Sequence, residues 1–124
     1  MTTFYEEVGG EAFFTELVSH FYALVATNEI LRPMYPESDM KGAAKRLLMF
    51  MEQYWGGPST YSEERGHPRL RMRHAGFHID IAARDAWLSC MNEALSGMEI
   101  DQIHRTQLEG YFEMAAHSMV NQES

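Results

Sequence analysis

The chain carries a single cysteine, Cys90, so it can form no internal disulfide, and a reducing cytoplasm is the expected compartment. No apolar run approaches the roughly 18 residues that a membrane span requires. No segment alternates strictly between apolar and polar side chains, so nothing reads as a strand. Positive charge is scarce. Ten Lys and Arg stand against 18 Asp and Glu, and the net charge of -8 argues against a nucleic-acid or anionic-membrane partner. The first residues, Met1-Thr2-Thr3-Phe4-Tyr5-Glu6-Glu7, lack a basic region followed by an apolar one, so no secretory signal is expected.

What is present is helical periodicity on a scale of 124 residues, enough for one domain spanning 1–124 with a single core. Gly9-Gly10 breaks the chain after a short turn around Phe4 to Val8. From Glu11 to about Ala26, residues Phe14, Leu17, Val18, Phe21, Leu24 and Val25 recur at helical spacing. Thr27-Asn28 offers a cap for a brief turn through Leu31, which Pro33 and Pro36 are expected to end. Ser38-Asp39 starts a helix from about Met40 to Trp55, with Ala43, Leu47, Phe50, Met51 and Tyr54 on one face, and Gly56-Gly57-Pro58 stops it. Residues 58–66 read as a polar loop, and a short helix is expected from about His67 to Ala75. Further helices run from Asp80 to Ser96, with Trp87, Leu88, Met91 and Leu95 inward, and from a cap at Asp101 through Leu108, Tyr111, Phe112, Ala115 and Met119. The expected class is all-α.

Ten methionines, seven phenylalanines and six tyrosines are many for this length. A small core filled with adaptable side chains explains them first, and a cavity around a large flat ligand explains them second. The arginines of an acidic chain cluster between Arg65 and Arg73, which points to a bound anion.

The most informative stretch runs from Tyr54-Trp55-Gly56-Gly57-Pro58 to His67-Pro68-Arg69-Leu70-Arg71-Met72-Arg73-His74. It ends with a histidine beside three arginines and two large apolar residues. A neutral imidazole is a good axial ligand for haem iron, apolar side chains suit the porphyrin faces, and arginines suit its carboxylates. Five other histidines are present. His74 and His78, four apart, could share a helix face as zinc-binding pairs do, but such a site would need ligands from distant segments. His20, His104 and His117 lie in amphipathic helices beside polar neighbours, where a surface role is expected.

The chain resembles the group II truncated haemoglobins of bacteria over nearly its whole length. The likeness lies in Phe21-Tyr22, Met34-Tyr35-Pro36, Tyr54 to Pro58, Arg65 to His74, Asp85-Ala86-Trp87-Leu88 and Met114-Ala115-Ala116-His117, in order and at family spacing. The paired glycines at 9–10 and 56–57 match as well. The resemblance implies a two-over-two helical sandwich, the truncated globin fold, enclosing a haem. It implies that His74 is the proximal iron ligand and that Tyr22, Tyr35 and Trp87 form a distal polar cluster. Ala43 falls where many globins place a distal histidine. Leu47 and Phe50 share that face, Leu70 and Phe77 should touch the porphyrin, and Met114 and Met119 are further wall residues. Arg73, with Tyr61 or His67, is placed to meet a propionate. Without a Cys-x-x-Cys-His motif the cofactor should be haem b, iron protoporphyrin IX.

Physics agrees with the distal assignment. An indole N–H only donates, whereas a phenol donates or accepts, so one Trp and two Tyr can form a connected network. For Tyr35, between two prolines, packing alone is the less economical account; for Trp87 alone it would be the favourite. The family suggests dioxygen binding and oxygen transport, with nitric oxide dioxygenation or peroxide-dependent oxidation, and simple oxygen storage is less attractive. The alternative is a non-catalytic oxygen-binding or gas-sensing module. The partners implied are dioxygen, other diatomic ligands and an unidentified reductase. An acidic surface is compatible with a monomer or a homo-oligomer.

Overall fold

The computed structural model describes residues 2–35, 39–66, 69, 74 and 76–122, and in these it contains helices and turns with no strand. Six α-helices follow in order: α1 (Phe4–Val8), α2 (Gly10–Val25), α3 (Met40–Tyr54), α4 (Thr60–Arg65), α5 (Ile81–Ser96) and α6 (Gln102–Met119). A 3-10 turn, Arg32–Met34, lies between α2 and α3. Helix α2 packs on α3 and also on α5, and α5 packs on α6, so two helix pairs are layered one over the other.

The apolar stripe of α2 is the centre of the core. Phe13, Phe14, Leu17, Val18, Phe21 and Val25 recur at three- and four-residue intervals, and all are buried. Met91 and Leu95 of α5 and Leu108 and Phe112 of α6 close over them. Each such fully buried side chain contributes about 1.5–3 kcal/mol of transfer free energy.

Polar groups set the helix ends. Thr3 caps α1 by accepting from Glu6 N at 3.2 Å. Asp80 caps α5 and Asp101 caps α6, accepting from Ala83 N and His104 N at 2.8 Å each. Gly9 takes φ 116°, a conformation suited to glycine, where α1 turns into α2. At Gly57 the reason is crowding: a Cβ there would meet the Tyr5 ring at 2.8 Å and the Glu52 carbonyl at 2.9 Å. That close approach lets Tyr5 N donate to Trp55 O at 2.9 Å, fastening α1 to the end of α3.

Two local expectations need correction. Within the supposed loop 58–66, Thr60–Arg65 is helical. The Gln53 amide grips its first turn, accepting from Ser62 N at 2.9 Å and donating to Ser62 Oγ at 2.8 Å, while Tyr61 is driven inward. Pro33 does not end the turn after Asn28 but sits inside the 3-10 turn, where its missing N–H costs nothing. Asp39 stands at the start of α3 as expected, and its side chain pairs with Arg46. The expected helix at 67–75 falls, except for 69 and 74, outside the described residues.

Candidate functional site

A cavity of about 530 Å³ opens between α2, α3, α5 and α6. Native interiors are close-packed with few voids larger than a water molecule, so a space this size belongs to a ligand. From α2 comes Tyr22, from the turn after it Tyr35, from α3 Ala43, Leu47 and Phe50, from α4 Tyr61, and from α5 Trp87. His74 and Phe77 enter from the segment before α5. Every one of these residues stood in the sequence expectation, and the fold brings all of them into one cavity.

Helical phase explains the α3 side. Ala43, Leu47 and Phe50 lie at i, i+4 and i+7, and Arg46 completes the same stripe one turn after Ala43. Its guanidinium forks onto Asp39, with Nη2–Oδ2 at 2.7 Å and Nη1–Oδ1 at 3.4 Å. The Arg46 guanidinium holds the Asp39 carboxyl below its ordinary range. Arg46 is absent from the sequence expectation: its spacing puts it on the stripe of Ala43, but only the packing of α3 turns that stripe to the cavity. Arg65, first of the arginine cluster that the sequence marks, also lines the cavity, as do Asp39, Arg84 and Tyr111, which carry no local signal separating them from surface or core.

Phase also corrects one expectation. The α6 residues facing the cavity are Tyr111, Phe112, Ala115, Ala116 and Met119, whereas Met114 points away and is 62% exposed. Met119, the other methionine named, does form wall. His67, Leu70 and Arg73 lie outside the described residues.

The aromatic polar groups are tightly associated. The Tyr22 and Tyr35 rings meet edge to face with centroids 5.7 Å apart, which brings two phenols into one polar cluster. Burial raises both phenol pKa values, so both stay neutral at physiological pH. Trp87 stacks edge-on against Phe21 at 5.3 Å and Phe112 at 5.9 Å, which fixes its indole between α2 and α6.

His74 is half-buried. Its carbonyl accepts from Phe77 N at 3.0 Å and from the Asn121 side chain at 3.3 Å. Asn121 Nδ2 also donates to Phe77 O at 3.0 Å, and Asn121 Oδ1 accepts from Ile79 N at 3.0 Å. A residue beyond α6 thus secures the segment that carries the imidazole.

Residues 3–121 match the model of the bacterial-like globin family. The chain belongs to that family, as a group II truncated haemoglobin. It is 43% identical to the group 2 truncated haemoglobin YjbI of Bacillus subtilis, across 95% of this chain and 88% of that protein. It superimposes on a thermostable haemoglobin of Thermobifida fusca with TM-score 0.96 and 50% identity, covering 99% of this chain and all of the other. Against the group II truncated haemoglobin of Bacillus anthracis the values are 0.95 and 36%, covering all of this chain and 95% of that one. Membership of the globin family implies haem and oxygen binding. The residues present fit that group: the cavity offers apolar walls, one imidazole and cationic side chains to a large, flat, anionic cofactor.

Two histidines have roles outside the cavity. His104 is not a simple surface residue. Its ring bridges Asp101 Oδ1 at 2.7 Å and Glu7 Oε1 at 2.8 Å, joining α1 to the start of α6. His117 Nδ1 lies 3.1 Å from Arg84 Nη1, next to the cavity wall.

Proposed function

We propose that this truncated haemoglobin holds one haem b through His74 and takes dioxygen and other diatomic ligands beside Tyr22, Tyr35 and Trp87. The observation that carries this reading is the sharing of one apolar cavity by a half-buried histidine and a cluster of Tyr22, Tyr35 and Trp87 side chains. When bound, haem supplies an iron centre that takes diatomic gases and changes oxidation state.

The chain's own groups do the rest. Leu47, Phe50 and Phe77 give the porphyrin apolar contact. Arg46, Arg65 and Tyr61 line the cavity as cationic and hydrogen-bonding partners for the propionates, and the sequence expectation adds Arg73, with Tyr61 or His67. The Trp87 N–H can only donate, so it favours a ligand whose outer atom has gained negative charge. Tyr22 and Tyr35 stand edge to face, and each phenol can donate or accept, so one can orient the other and leave a proton aimed at the ligand. Ala43 keeps the α3 side of the cavity open where a larger side chain would fill it.

A pocket of several donors slows release, which suits redox chemistry better than transport. Nitric oxide dioxygenation or peroxide-dependent oxidation fits best, with an external reductase returning the electrons that turnover consumes. A neighbour of 43% identity is described as an oxygen-avid haemoglobin of Bacillus subtilis, and this favours tight oxygen binding here too. A non-catalytic oxygen binder or gas sensor is the second reading, which absence of turnover would select. The deciding experiment is the absorption spectrum of haem-loaded protein beside that of His74→Ala. A Soret band that depends on His74 is expected, and an unchanged ferrous spectrum in the variant would overturn the assignment.

A further inference from the structure

Four tyrosines line the cavity: Tyr22, Tyr35, Tyr61 and Tyr111. A fifth, Tyr5, donates to Glu52 Oε2 at 2.9 Å. Only Tyr54, of the six, is exposed, at 50%. Yet its ring is in contact with the cavity wall, because Tyr54 and Tyr111 pack with centroids 4.2 Å apart and planes inclined by 36°. Trp55 stands beside both, 5.0 Å from Tyr54 and 5.5 Å from Tyr111. Three oxidisable rings therefore run without a break from the cofactor cavity to solvent.

We propose that Tyr54 is a second redox site, which receives oxidising equivalents from the cavity through Tyr111 and hands them to one-electron donors too large to enter. The inference rests on the haem reading above. Proton chemistry sets the direction. A phenol or indole that loses an electron becomes strongly acidic, and its charge is costly to keep in an apolar setting unless the proton leaves. The Trp55 Nε1–H is buried and has no acceptor among the described residues. Tyr111 is largely covered by α3 and its neighbours, and burial opposes loss of its phenol proton. The Tyr54 hydroxyl can give its proton to water. Oxidising equivalents on the three rings accordingly settle at Tyr54.

The balance closes with hydrogen peroxide as oxidant. Its O–O bond breaks, and two electrons and two protons convert it to two waters. Two Tyr54 phenols each supply one electron and one proton and become phenoxyl radicals. These take hydrogen atoms from phenolic donors or, when no donor is present, couple ring to ring as dityrosine between two copies of the chain.

The test uses haem-loaded protein with its Soret band verified, treated with hydrogen peroxide without added reductant. Covalent dimer, dityrosine fluorescence and spin-trap adducts mapped by peptide mass spectrometry are the readouts. Wild type should form dityrosine dimers and carry the spin trap on Tyr54. Tyr54→Phe should keep the Soret band and lose both products. Tyr111→Phe, normalised to bound haem, should lower the yield at Tyr54. Dimer persisting in Tyr54→Phe, adducts confined to other residues, or an unchanged yield in Tyr111→Phe would each overturn the relay. A protein with a Soret band but no Tyr54 product refutes this inference alone, whereas a protein without the band refutes the haem reading with it.

Discussion

Asn121 donates from its side-chain amide to the carbonyl of His74 at 3.3 Å, although 47 residues separate the two. The same amide takes Phe77 O and Ile79 N, and the Asn121 backbone N–H donates to Ile79 O at 2.9 Å. Asn121 thus ties the backbone at His74, Phe77 and Ile79 to the end of α6.

Asn121→Ala removes the side-chain bonds and keeps the backbone one. Each of the three bonds contributes about 0.5–1.5 kcal/mol net, so the segment should loosen by about 1.5–4.5 kcal/mol. Haem transfer to an acceptor globin should become faster, and the melting temperature of the loaded protein should fall. Transfer at the wild-type rate would show that Asn121 does not position His74.

Trp87→Phe keeps an aromatic wall between Phe21 and Phe112 but deletes the indole donor. A hydrogen bond to a charged group is worth about 1.5–3 kcal/mol, so dioxygen release should accelerate about ten- to a hundredfold. Carbon monoxide, with less charge on its outer atom, should respond less. Stopped-flow release from wild type, Trp87→Phe, Tyr22→Phe and the double variant measures this, and non-additive effects would identify one coupled network. No change in Trp87→Phe would reduce the indole to packing.

The cavity predicts a large stability difference between haem-free and haem-loaded protein. Tyr22, Leu47, Trp87 and Phe112 face that space from four helices, so the haem-free protein lacks packing there. A ligand present at about a thousandfold excess over its dissociation constant stabilises the native state by about 4 kcal/mol. Equal melting temperatures for the two forms would contradict a cofactor that builds the core.

The His104 clasp carries a pH signature. Hydrogen bonds to Glu7 and then Asp101 raise its pKa above the ordinary 6.5, so its stabilising contribution is complete below that value and is lost as pH rises through the raised one. The Glu7 and Asp101 pKa values are lowered from 4.5 and 3.8, chiefly by hydrogen bonds from His104, and their contribution is lost as pH falls through the lowered values. The clasp is therefore complete from about pH 4.5 to about 6.5. Melting temperatures of wild type and His104→Gln should converge as pH rises from that window, and a pH-independent gap would refute the ionic role.

How much of this was legible in the sequence depends on how local each cause is. The stripe of α2 and the caps at Asp80 and Asp101 are written in short-range spacing, and helices formed where that spacing predicted them. The site residues Tyr22, Tyr35, Leu47, Phe50, Tyr61, His74, Phe77 and Trp87 were named from family motifs, and the fold gathers them into one cavity. Tyr61 shows the boundary of local reasoning. Its segment is polar and Gly-rich at both ends and reads as loop, and it becomes helix because Gln53, in another element, grips Ser62. Met114 shows the boundary of resemblance: the family motif names it as wall, while the helical repeat Leu108, Tyr111, Phe112, Ala115 and Met119 leaves it out, and it is exposed.

The sequence by itself determined the helical class, the helix ends and the residue types able to hold a haem, because propensity, capping and periodicity act within a few residues. Only the tertiary structure decided that Arg46 and Tyr111 face the cavity, that Asn121 holds His74, and that Tyr54 meets both solvent and the cavity wall. Those relationships depend on the distance and rotation between helices far apart in the chain, which side-chain packing sets and short-range spacing does not encode.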